Sequence, residues 1–416
     1  MDRLIFHVDV NSAYLSWEAT RRVQAGEDDL RLIPSAIGGE RDKRTGVILA
    51  ASIPAKKRGV KTGEPVGMAL RKCPELVLAK PDFSLYSASS RAFIEVCRRY
   101  APVVEQYSID ECFLDMTGTH LLYPDPIATA HELRETIRDT LGFTVNVGVG
   151  SNKLLAKMAG DFEKPDKVHT LFYHEVPTKL WPLSVRAMLG VGGATAEKLE
   201  RSCIQTVGDI ARLELATLQA IVGKKMGEQL HRHAVGADES PVLDRPEDAK
   251  GYSMATTLEE NVVRYDTADA VLLALTDSVA MRMRADGAKA FGVSVTARDI
   301  EFRTRSHQKK LHTPTDVTDE IYKLAKTLFR ELWDGRTPLR LLGVGLFDVT
   351  REASVQLSLF EEEQADNARQ RQLDQTVDTI RRRFGKYGIV RGATMTAPRE
   401  TAKNYDQYDT NEEDNV

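Results

Sequence analysis

Two adjacent acids, Asp110 and Glu111, interrupt a strand-like stretch over residues 104–115. Neighbouring side chains of a regular strand point to opposite faces, so these two carboxylates cannot both enter one hydrophobic core. The pair is therefore predicted to lie at a strand end, a bulge or a hairpin tip, where a sheet presents acids to a ligand. Adjacent acids are also common in solvated turns, and a functional interpretation needs a further partner.

The N-terminus supplies a third acid. Residues 4–10 form an apolar, β-prone run that includes Asp9 near its end. If this strand pairs beside residues 104–115, Asp9 joins Asp110 and Glu111 at one point. Divalent cations with oxygen ligands relieve the repulsion between clustered carboxylates, and magnesium is the predicted ion. Two such ions serve phosphoryl or nucleotidyl transfer.

Two segments of the chain resemble motifs of the Y-family translesion DNA polymerases. They are His7-Val8-Asp9-Val10-Asn11-Ser12-Ala13-Tyr14 and Ser108-Ile109-Asp110-Glu111. The resemblance continues in order to about residue 390 and covers most of the chain. It implies that Asp110 and Glu111 are the catalytic acids. It also implies that Asp9, Asp110, Glu111 and the Val10 backbone carbonyl bind two Mg²⁺ ions.

The same resemblance implies a nucleotide site. Tyr14 is expected to be the steric gate, an aromatic ring placed where a ribose 2′-hydroxyl would sit. The other expected nucleotide contacts are Ser12, Ala13, Ile53, Lys56 and Lys164. Independently of the family, Asn11 or Ser12 is predicted to cap the helix that follows.

Two nucleotide positions differ from the family pattern, which usually places Tyr at position 53 and Arg at position 56. Ile53 cannot donate a hydrogen bond, and Lys56 offers a point charge in place of a bidentate fork. We therefore expect weak nucleotide affinity or low turnover. Ala13 is a third difference, because the family often has an aromatic residue there.

The family resemblance implies an α+β multidomain fold. It is a right-hand polymerase with a ferredoxin-like palm, small fingers, a helical thumb with a helix-hairpin-helix, and an α+β little-finger domain. A chain of 416 residues is long enough for several cores. The expected boundaries are 1–18 and 78–165 for the palm, 19–77 for the fingers, 166–235 for the thumb, 236–250 for a linker, 251–349 for the little finger and 350–416 for a C-terminal tail.

Primer-template DNA and deoxynucleoside triphosphates are the expected partners. The formal net charge of -4 argues weakly against nucleic acid, but residues 31–80 hold 11 Lys and Arg against 4 acids. Residues 281–312 hold 8 against 3, and such clusters fit a phosphate-binding surface or a merely solvated face. The predicted DNA contacts are Gly190, Gly192 and Thr195 in the thumb, and Arg298, Arg303, Arg305 and Lys309 in the little finger.

A short motif after the last predicted strand resembles the peptide with which bacterial polymerases bind the sliding clamp, the beta subunit. Its expected clamp contacts are Gln356, Leu357, Leu359 and Phe360. An exposed apolar run flanked by acids is explained by a partner groove, although an ordinary packed strand remains the alternative.

The sequence predicts a monomeric cytoplasmic DNA polymerase that adds deoxynucleotides to a primer 3′-hydroxyl. An 18-residue apolar run and a signal-peptide pattern are both absent, so no membrane partner is expected. The four cysteines are widely spaced and show no zinc-binding pattern. One alternative is a non-catalytic or very weak polymerase-like protein that binds DNA and clamp. Another is a nucleotide cyclase, which would leave the thumb, little finger and clamp motif without a role.

Overall fold

The computed structural model describes residues 3–39, 46–351, 361–385 and 387–394. These residues divide into two compact units, the first ending at Pro246 and the second beginning at Glu247. Each unit has a hydrophobic core of its own, as a chain of this length requires.

In chain order, the strands of the first unit are β1 (Ile5–Val10), β2 (Ser35–Gly38), β3 (Ile48–Ala51), β4 (Val77–Ala79), β5 (Val103–Gln106), β6 (Glu111–Asp115), β7 (Val145–Gly150) and β8 (Val168–Leu171). Its helices are α1 (Ala13–Gln24), α2 (Ile53–Lys57), α3 (Val66–Lys72), α4 (Phe83–Arg98), α5 (Pro126–Leu141), α6 (Lys153–Gly160), α7 (Gly193–Arg201), α8 (Val207–Arg212), α9 (Leu215–Val222) and α10 (Lys224–Ala234). Short 3-10 turns lie at Thr119–Leu121, Tyr173–Glu175 and Val185–Ala187, and a π-helical turn lies at Val176–Leu180.

A five-stranded sheet with the strand order β5-β6-β1-β7-β8 forms the centre of this unit. The N-terminal strand β1 is central, paired with β6 on one side and β7 on the other, and both of its faces contribute residues to hydrophobic cores. Phe6, Val8 and Val10 belong to the core built with α1, α4 and α5, whereas Ile5 packs with Ala156 of α6. The sheet continues past the expected palm boundary at residue 165, since β8 pairs parallel with β7.

Helix α6 lies unusually close to the sheet because β7 carries glycine at its contact points. A Cβ atom at Gly148 would stand 1.9 Å from the Ala156 carbonyl oxygen, and one at Gly150 would stand 2.5 Å from the Ala156 amide nitrogen. Glycine is therefore required at both positions. This close approach brings the lysines of α6 to the edge of the sheet that carries the acids.

Two smaller cores complete the first unit. The strands β3-β2-β4 form a three-stranded sheet, packed by α2 and α3 in the region expected to be the fingers. Helices α7 to α10 share a core with α6 in the region expected to be the thumb.

The segment that leaves α10 packs back onto the central sheet. The Asp238 carboxylate accepts the Leu154 amide at 3.1 Å, and the Leu243 amide donates to Glu105 at 2.8 Å. Val242 is buried among residues of β1, β6 and α6. The first half of the expected linker 236–250 is thus part of the first unit.

The second unit contains β9 (Gly251–Val262), α11 (Tyr265–Ala285), β10 (Lys289–Asp299), β11 (Thr304–Thr315), α12 (Thr318–Leu332), β12 (Leu339–Thr350) and α13 (Glu361–Phe384), with a 3-10 turn at Gly392–Thr394. Its antiparallel sheet has the order β11-β10-β12-β9. Apolar residues of α11, α12 and the sheet share one core. This agrees with the α+β composition expected for the little-finger domain.

Helix α13 lies in the expected C-terminal tail and packs on α11 and α12 through charged side chains, most of which are buried. We call these residues the C-terminal charge network, and they are Asp277, Asp316, Asp374, Asp378, Arg284, Arg371, Arg381 and Arg391. Asp374 also accepts the Thr318 amide at 2.8 Å, which caps the N-terminus of α12. The described part of α13 is therefore an integral element of the second unit.

All four cysteines lie in the described part of the chain as free thiols, and three of them are buried. Every helix that the structure describes is too short or too polar to cross a membrane.

Candidate active site

The adjacent acids lie at the tip of the β5–β6 hairpin, as predicted. The amides of Tyr107 and Ser108 both donate to the Glu111 carbonyl, at 3.0 and 3.1 Å. The Ser108 hydroxyl also donates to the Asp110 carboxylate at 2.6 Å. Residues 104–115 thus form two strands joined by a tight turn. The turn lets two neighbouring acids lie at the same edge of the sheet.

Strand pairing brings the N-terminal acid to the same edge. Asp9 is the register partner of Glu111 in the antiparallel pair of β1 and β6. The Val10 amide donates to the Asp110 carbonyl at 2.9 Å, which sets the backbone of residue 10 beside the hairpin tip. We call Asp9, Asp110 and Glu111 the acidic edge.

The Glu111 carboxylate has two cationic or polar partners. His7 Nε2 lies 2.7 Å from it, and the Lys157 ammonium forms an ion pair with it. Burial alone would raise the pKa of Glu111, but the hydrogen bonds from His7 and Lys157 lower it to about 2. Glu111 is therefore an anion at neutral pH.

The Asp9 carboxylate is in a different electrostatic setting. Burial raises its pKa, and Asp110 raises it further, whereas Lys164 at 3.0 Å opposes the shift. A buried carboxylate with a raised pKa gains stability from an additional cation. Asp9 and Glu111 are thus opposite each other in the sheet, and different lysines hold them.

Carboxylate oxygens are the donors that magnesium prefers, so the acidic edge has suitable chemistry for that ion. Among the described side chains, no group of three acids, histidines or cysteines has metal-binding geometry. Glu111 contacts Lys157, and Asp9 contacts Lys164. Each lysine holds its carboxylate by a single ammonium, a contact that another cation can replace.

Three residues of the expected nucleotide site lie together beside the acidic edge. The Lys56 ammonium donates to the Ser12 hydroxyl at 2.8 Å. Burial lowers the pKa of Lys56, and the nearby positive charge of Lys164 lowers it further. Two ammonium groups near each other are suited to bind an anion between them.

One local prediction about these residues is wrong. Ser12 occupies the N-cap position of α1, but its side chain makes no capping hydrogen bond, and its backbone is left-handed with φ of 51°. The Asn11 amide group instead donates to Asn146 at 3.1 Å. Both side chains are therefore engaged in tertiary contacts, which local sequence patterns do not reveal.

The remaining expected nucleotide residues differ in exposure. Ala13 is 5% exposed, whereas Ile53, the first residue of α2, is 45% exposed. Tyr14 is half-buried, and its ring stacks on that of Tyr86 with centroids 4.7 Å apart. Sequence analysis missed Tyr86.

It also missed His7 and Lys157. A weak signal existed for both residues. His7 lies two positions before Asp9 on β1, so the two share a face of the strand. Lys157 lies four positions after Lys153 on α6, so these two share a face of the helix.

The predicted DNA contacts are distributed over both units. In the first unit, Gly190 has φ of 90° and Gly192 is the N-cap of α7, with Thr195 in its first turn. In the second unit, Arg298 donates to Thr304 at 2.8 Å, and Arg303 pairs with Glu301 at 2.6 Å. Arg305 and Lys309 lie on the exposed strand β11. The clamp residues Gln356, Leu357, Leu359 and Phe360 fall outside the described residues.

Three family models match the sequence. The model described as the impB/mucB/samB family matches residues 8–161, and the model of its C-terminal domain matches residues 249–359. A model described as the DNA polymerase-iota thumb domain matches residues 187–238. The first two models together account for more than half of the chain.

Curated relatives match over nearly the whole length. DNA polymerase IV of Clostridium acetobutylicum is 40% identical over 396 residues, covering 95% of this chain and 99% of that protein. DNA polymerase IV 2 of Bacillus subtilis is 35% identical, with 95% of each chain covered. A solved Y-family DNA polymerase chimera, Dbh-Dpo4(243-245)-Dbh, superposes with a TM-score of 0.74 at 25% identity, covering 84% of this chain and 100% of that one.

Proposed function

This chain belongs to the impB/mucB/samB family, the Y-family of translesion DNA polymerases, and we propose that Asp9, Asp110 and Glu111 carry its nucleotidyl transfer. It is a DNA-directed DNA polymerase that acts on primer-template DNA and deoxynucleoside triphosphates. The primer 3′-oxygen bonds to the α-phosphorus, and pyrophosphate leaves. The observation that best supports this proposal is the pairing of Asp9 with Glu111 across β1 and β6, which brings the acids to one edge of the sheet.

Polymerases of this family generally depend on metal ions, and two Mg²⁺ ions are the proposed cofactors. The carboxylates of Asp9, Asp110 and Glu111 and the Val10 carbonyl would hold them. When bound, the ions activate the attacking hydroxyl and neutralise the charge that develops on the phosphates. His7 supports this site by a hydrogen bond to Glu111 that keeps the carboxylate ionised and oriented.

The nucleotide is proposed to bind beside these acids. Lys56 and Lys164 would bind its triphosphate, with Ser12 positioning Lys56. Tyr14 would act as the steric gate that excludes a ribose 2′-hydroxyl. Its ring contacts the aromatic residues of α4. Ile53, which is exposed at the start of α2, would supply only apolar contact to the nucleotide.

The other proposed contacts involve larger partners. Gly190, Gly192 and Thr195 would place backbone amides on a DNA phosphate, which fits the thumb-domain match over residues 187–238. The exposed cations of β10 and β11 would contact the template backbone. Recruitment by the sliding clamp through residues 356–360, a monomeric state and a cytoplasmic location are proposed from the family resemblance alone.

Primer extension on undamaged DNA tests this function. The wild type is compared with the double variant Asp110→Asn, Glu111→Gln at saturating magnesium and deoxynucleotides. Loss of two charges that neutralise the reacting phosphates is expected to lower the rate about a thousandfold or more. A charge-matched control, Glu95→Gln with Asp139→Asn, alters two exposed acids of the same unit and is expected to retain wild-type extension.

Extension by the wild type and the control alone supports the acidic edge as the catalytic site. Extension by the double variant at the wild-type rate would contradict that assignment. If no form extends a primer even at high nucleotide with clamp supplied, a non-catalytic DNA-binding role becomes the better explanation, and Ile53 and Lys56 are the first positions to revert.

A further inference from the structure

The ring of Tyr14 is held by an aromatic cluster. Tyr86, on α4, stacks on it with centroids 4.7 Å apart and ring planes at 24°. Phe83 and Trp17 meet the same ring edge-on, with centroids 6.3 Å and 5.9 Å away. Offset stacking and edge-to-face contacts are the favoured geometries for aromatic pairs. One face of Tyr14 is thus covered by rings that can fix its orientation.

Tyr86 can support another ring because its own position is fixed. Its side chain is fully buried, with ring centroids 5.9 Å from Trp17 and 5.8 Å from Phe83. The Asp82 carboxylate caps α4 by accepting the Leu85 amide at 3.1 Å. Burial raises the pKa of Tyr86 to about 12, so the phenol stays neutral throughout the working pH range.

The backbone on the other side of Tyr14 is also fixed. Asn11 donates to Asn146 at 3.1 Å and accepts from the Thr144 hydroxyl at 3.0 Å. Ser12 has φ of 51°, a left-handed conformation that a non-glycine residue adopts only when its surroundings impose it. The Cα of Tyr14 is therefore set by the turn after β1, which leaves mainly its side-chain torsions free to vary.

We infer that Tyr86 is a positioning residue for sugar selection, holding the Tyr14 ring in the orientation that excludes a ribose 2′-hydroxyl. The inference rests on the proposed role of Tyr14 as the steric gate. A ring excludes a hydroxyl group only if it cannot rotate aside, and the flat face of Tyr86 opposes that rotation. Ala13 contributes only a methyl group beside the gate, so the ring contacts from α4 and Trp17 supply the restraint.

Three variants separate positioning from general packing. Tyr86→Leu removes the flat ring and keeps an apolar side chain, whereas Tyr86→Phe keeps the ring and removes only the hydroxyl. Phe93→Leu is the matched control, because Phe93 is equally buried and lies seven residues further along α4. It reproduces the loss of a buried ring from the same helix.

The readout is the ratio of kcat/KM for a deoxynucleotide to that for the matching ribonucleotide. Tyr86→Leu is expected to lower this ratio about tenfold, the size of one aromatic stacking interaction. Tyr86→Phe and Phe93→Leu are expected to keep the wild-type ratio. Thermal unfolding of each variant shows whether Tyr86→Leu and Phe93→Leu are destabilised to a similar extent. Tyr14→Ala, tested in parallel, is expected to lower the ratio further than any of them.

Each other outcome has a definite meaning. An equal fall in the ratio for Phe93→Leu would overturn the inference, because loosening of the core would explain the result. An unchanged ratio in Tyr86→Leu together with a lowered ratio in Tyr14→Ala would overturn the role of Tyr86 and leave the gate in place. An unchanged ratio in Tyr14→Ala would overturn both the gate and the role of Tyr86.

Discussion

The acidic edge and the C-terminal charge network hold carboxylates in opposite ways. At the acidic edge, Asp9 and Glu111 each contact one lysine, and Glu111 also contacts His7. In the C-terminal charge network, Asp374 is 2% exposed and is bound by Arg391 at 2.6 Å and by the Thr318 amide. In the network, arginine and amide donors occupy both carboxylate oxygens of Asp374. The acidic edge leaves carboxylate oxygens available to a further cation.

The cations differ in kind as well as in number. Every cation named in the C-terminal charge network is an arginine, whose planar fork binds a carboxylate through two parallel hydrogen bonds. Arg284 does this to Asp378, at 2.7 and 3.1 Å. The cations of the acidic edge are lysines, which act as compact and replaceable point charges. Charge clusters of similar composition can thus serve structure or ligand binding, according to how firmly each acid is held.

The strongest test of this comparison removes an acid from the network. Asp374→Ala removes one of the three acids that contact Arg391, and it removes the carboxylate that accepts the Thr318 amide at the start of α12. The second unit is expected to lose about 2–4 kcal/mol of stability. Hydrogen exchange measured by mass spectrometry should show lost protection in residues 318–332 and 374–384. Glu331→Ala, which removes an exposed acid of α12, serves as the control. Equal protection in both variants would show that the network does not stabilise the unit.

Exchanging lysine and arginine keeps every charge and tests how the number of hydrogen bonds to each carboxylate affects stability and magnesium binding. Arg284→Lys loses the fork to Asp378 and is expected to destabilise the second unit by about 1–3 kcal/mol.

Lys157→Arg lets a guanidinium bind Glu111 through two hydrogen bonds and is expected to raise the magnesium concentration for half-maximal primer extension about threefold to tenfold. Calorimetric titration of magnesium without DNA checks this effect directly. Unchanged magnesium affinity in Lys157→Arg would contradict the idea of a replaceable contact.

The smallest expected effect concerns the nucleotide side of the acidic edge. Lys56→Arg restores the fork that the family usually has and is expected to lower the KM for deoxynucleotides about twofold to fivefold, with little change in kcat. Steady-state kinetics measures it, and Lys57→Arg on the adjacent exposed lysine is the control. If the wild type already shows ordinary family-like nucleotide affinity and Lys56→Arg does not improve it, the expected weakness is wrong.

Much of the fold follows from local patterns in the sequence. Helix α5 has sequence signals at both ends, because Asp125 caps it, Pro126 begins it and Gly142 ends it. The alternation of strands and helices after residue 250 was also predictable, since each element is long and periodic. The capping role of Ser12 was predicted wrongly, because its hydroxyl bonds to Lys56, 44 positions away.

The candidate site could be predicted only in part. Asp9, Asp110 and Glu111 were accessible to sequence analysis because strand ends and family motifs mark them. The partners His7, Lys157 and Tyr86 were not, since a histidine in an apolar strand, a helical lysine and a buried tyrosine are common core or surface residues. Their roles depend on how closely α6 and α4 approach β1, and the glycines of β7 set that distance for α6.

Short-range patterns and residue chemistry are enough to predict which elements form, which acids lie at strand ends and which family the motifs resemble. How each charge is paired depends instead on the three-dimensional structure. This structure places Glu111 against Lys157, stacks Tyr14 on Tyr86 and joins α13 to α11 through the fork of Arg284 on Asp378. Such pairings join residues tens of positions apart, and their energies depend on distance and burial, which no local sequence window contains.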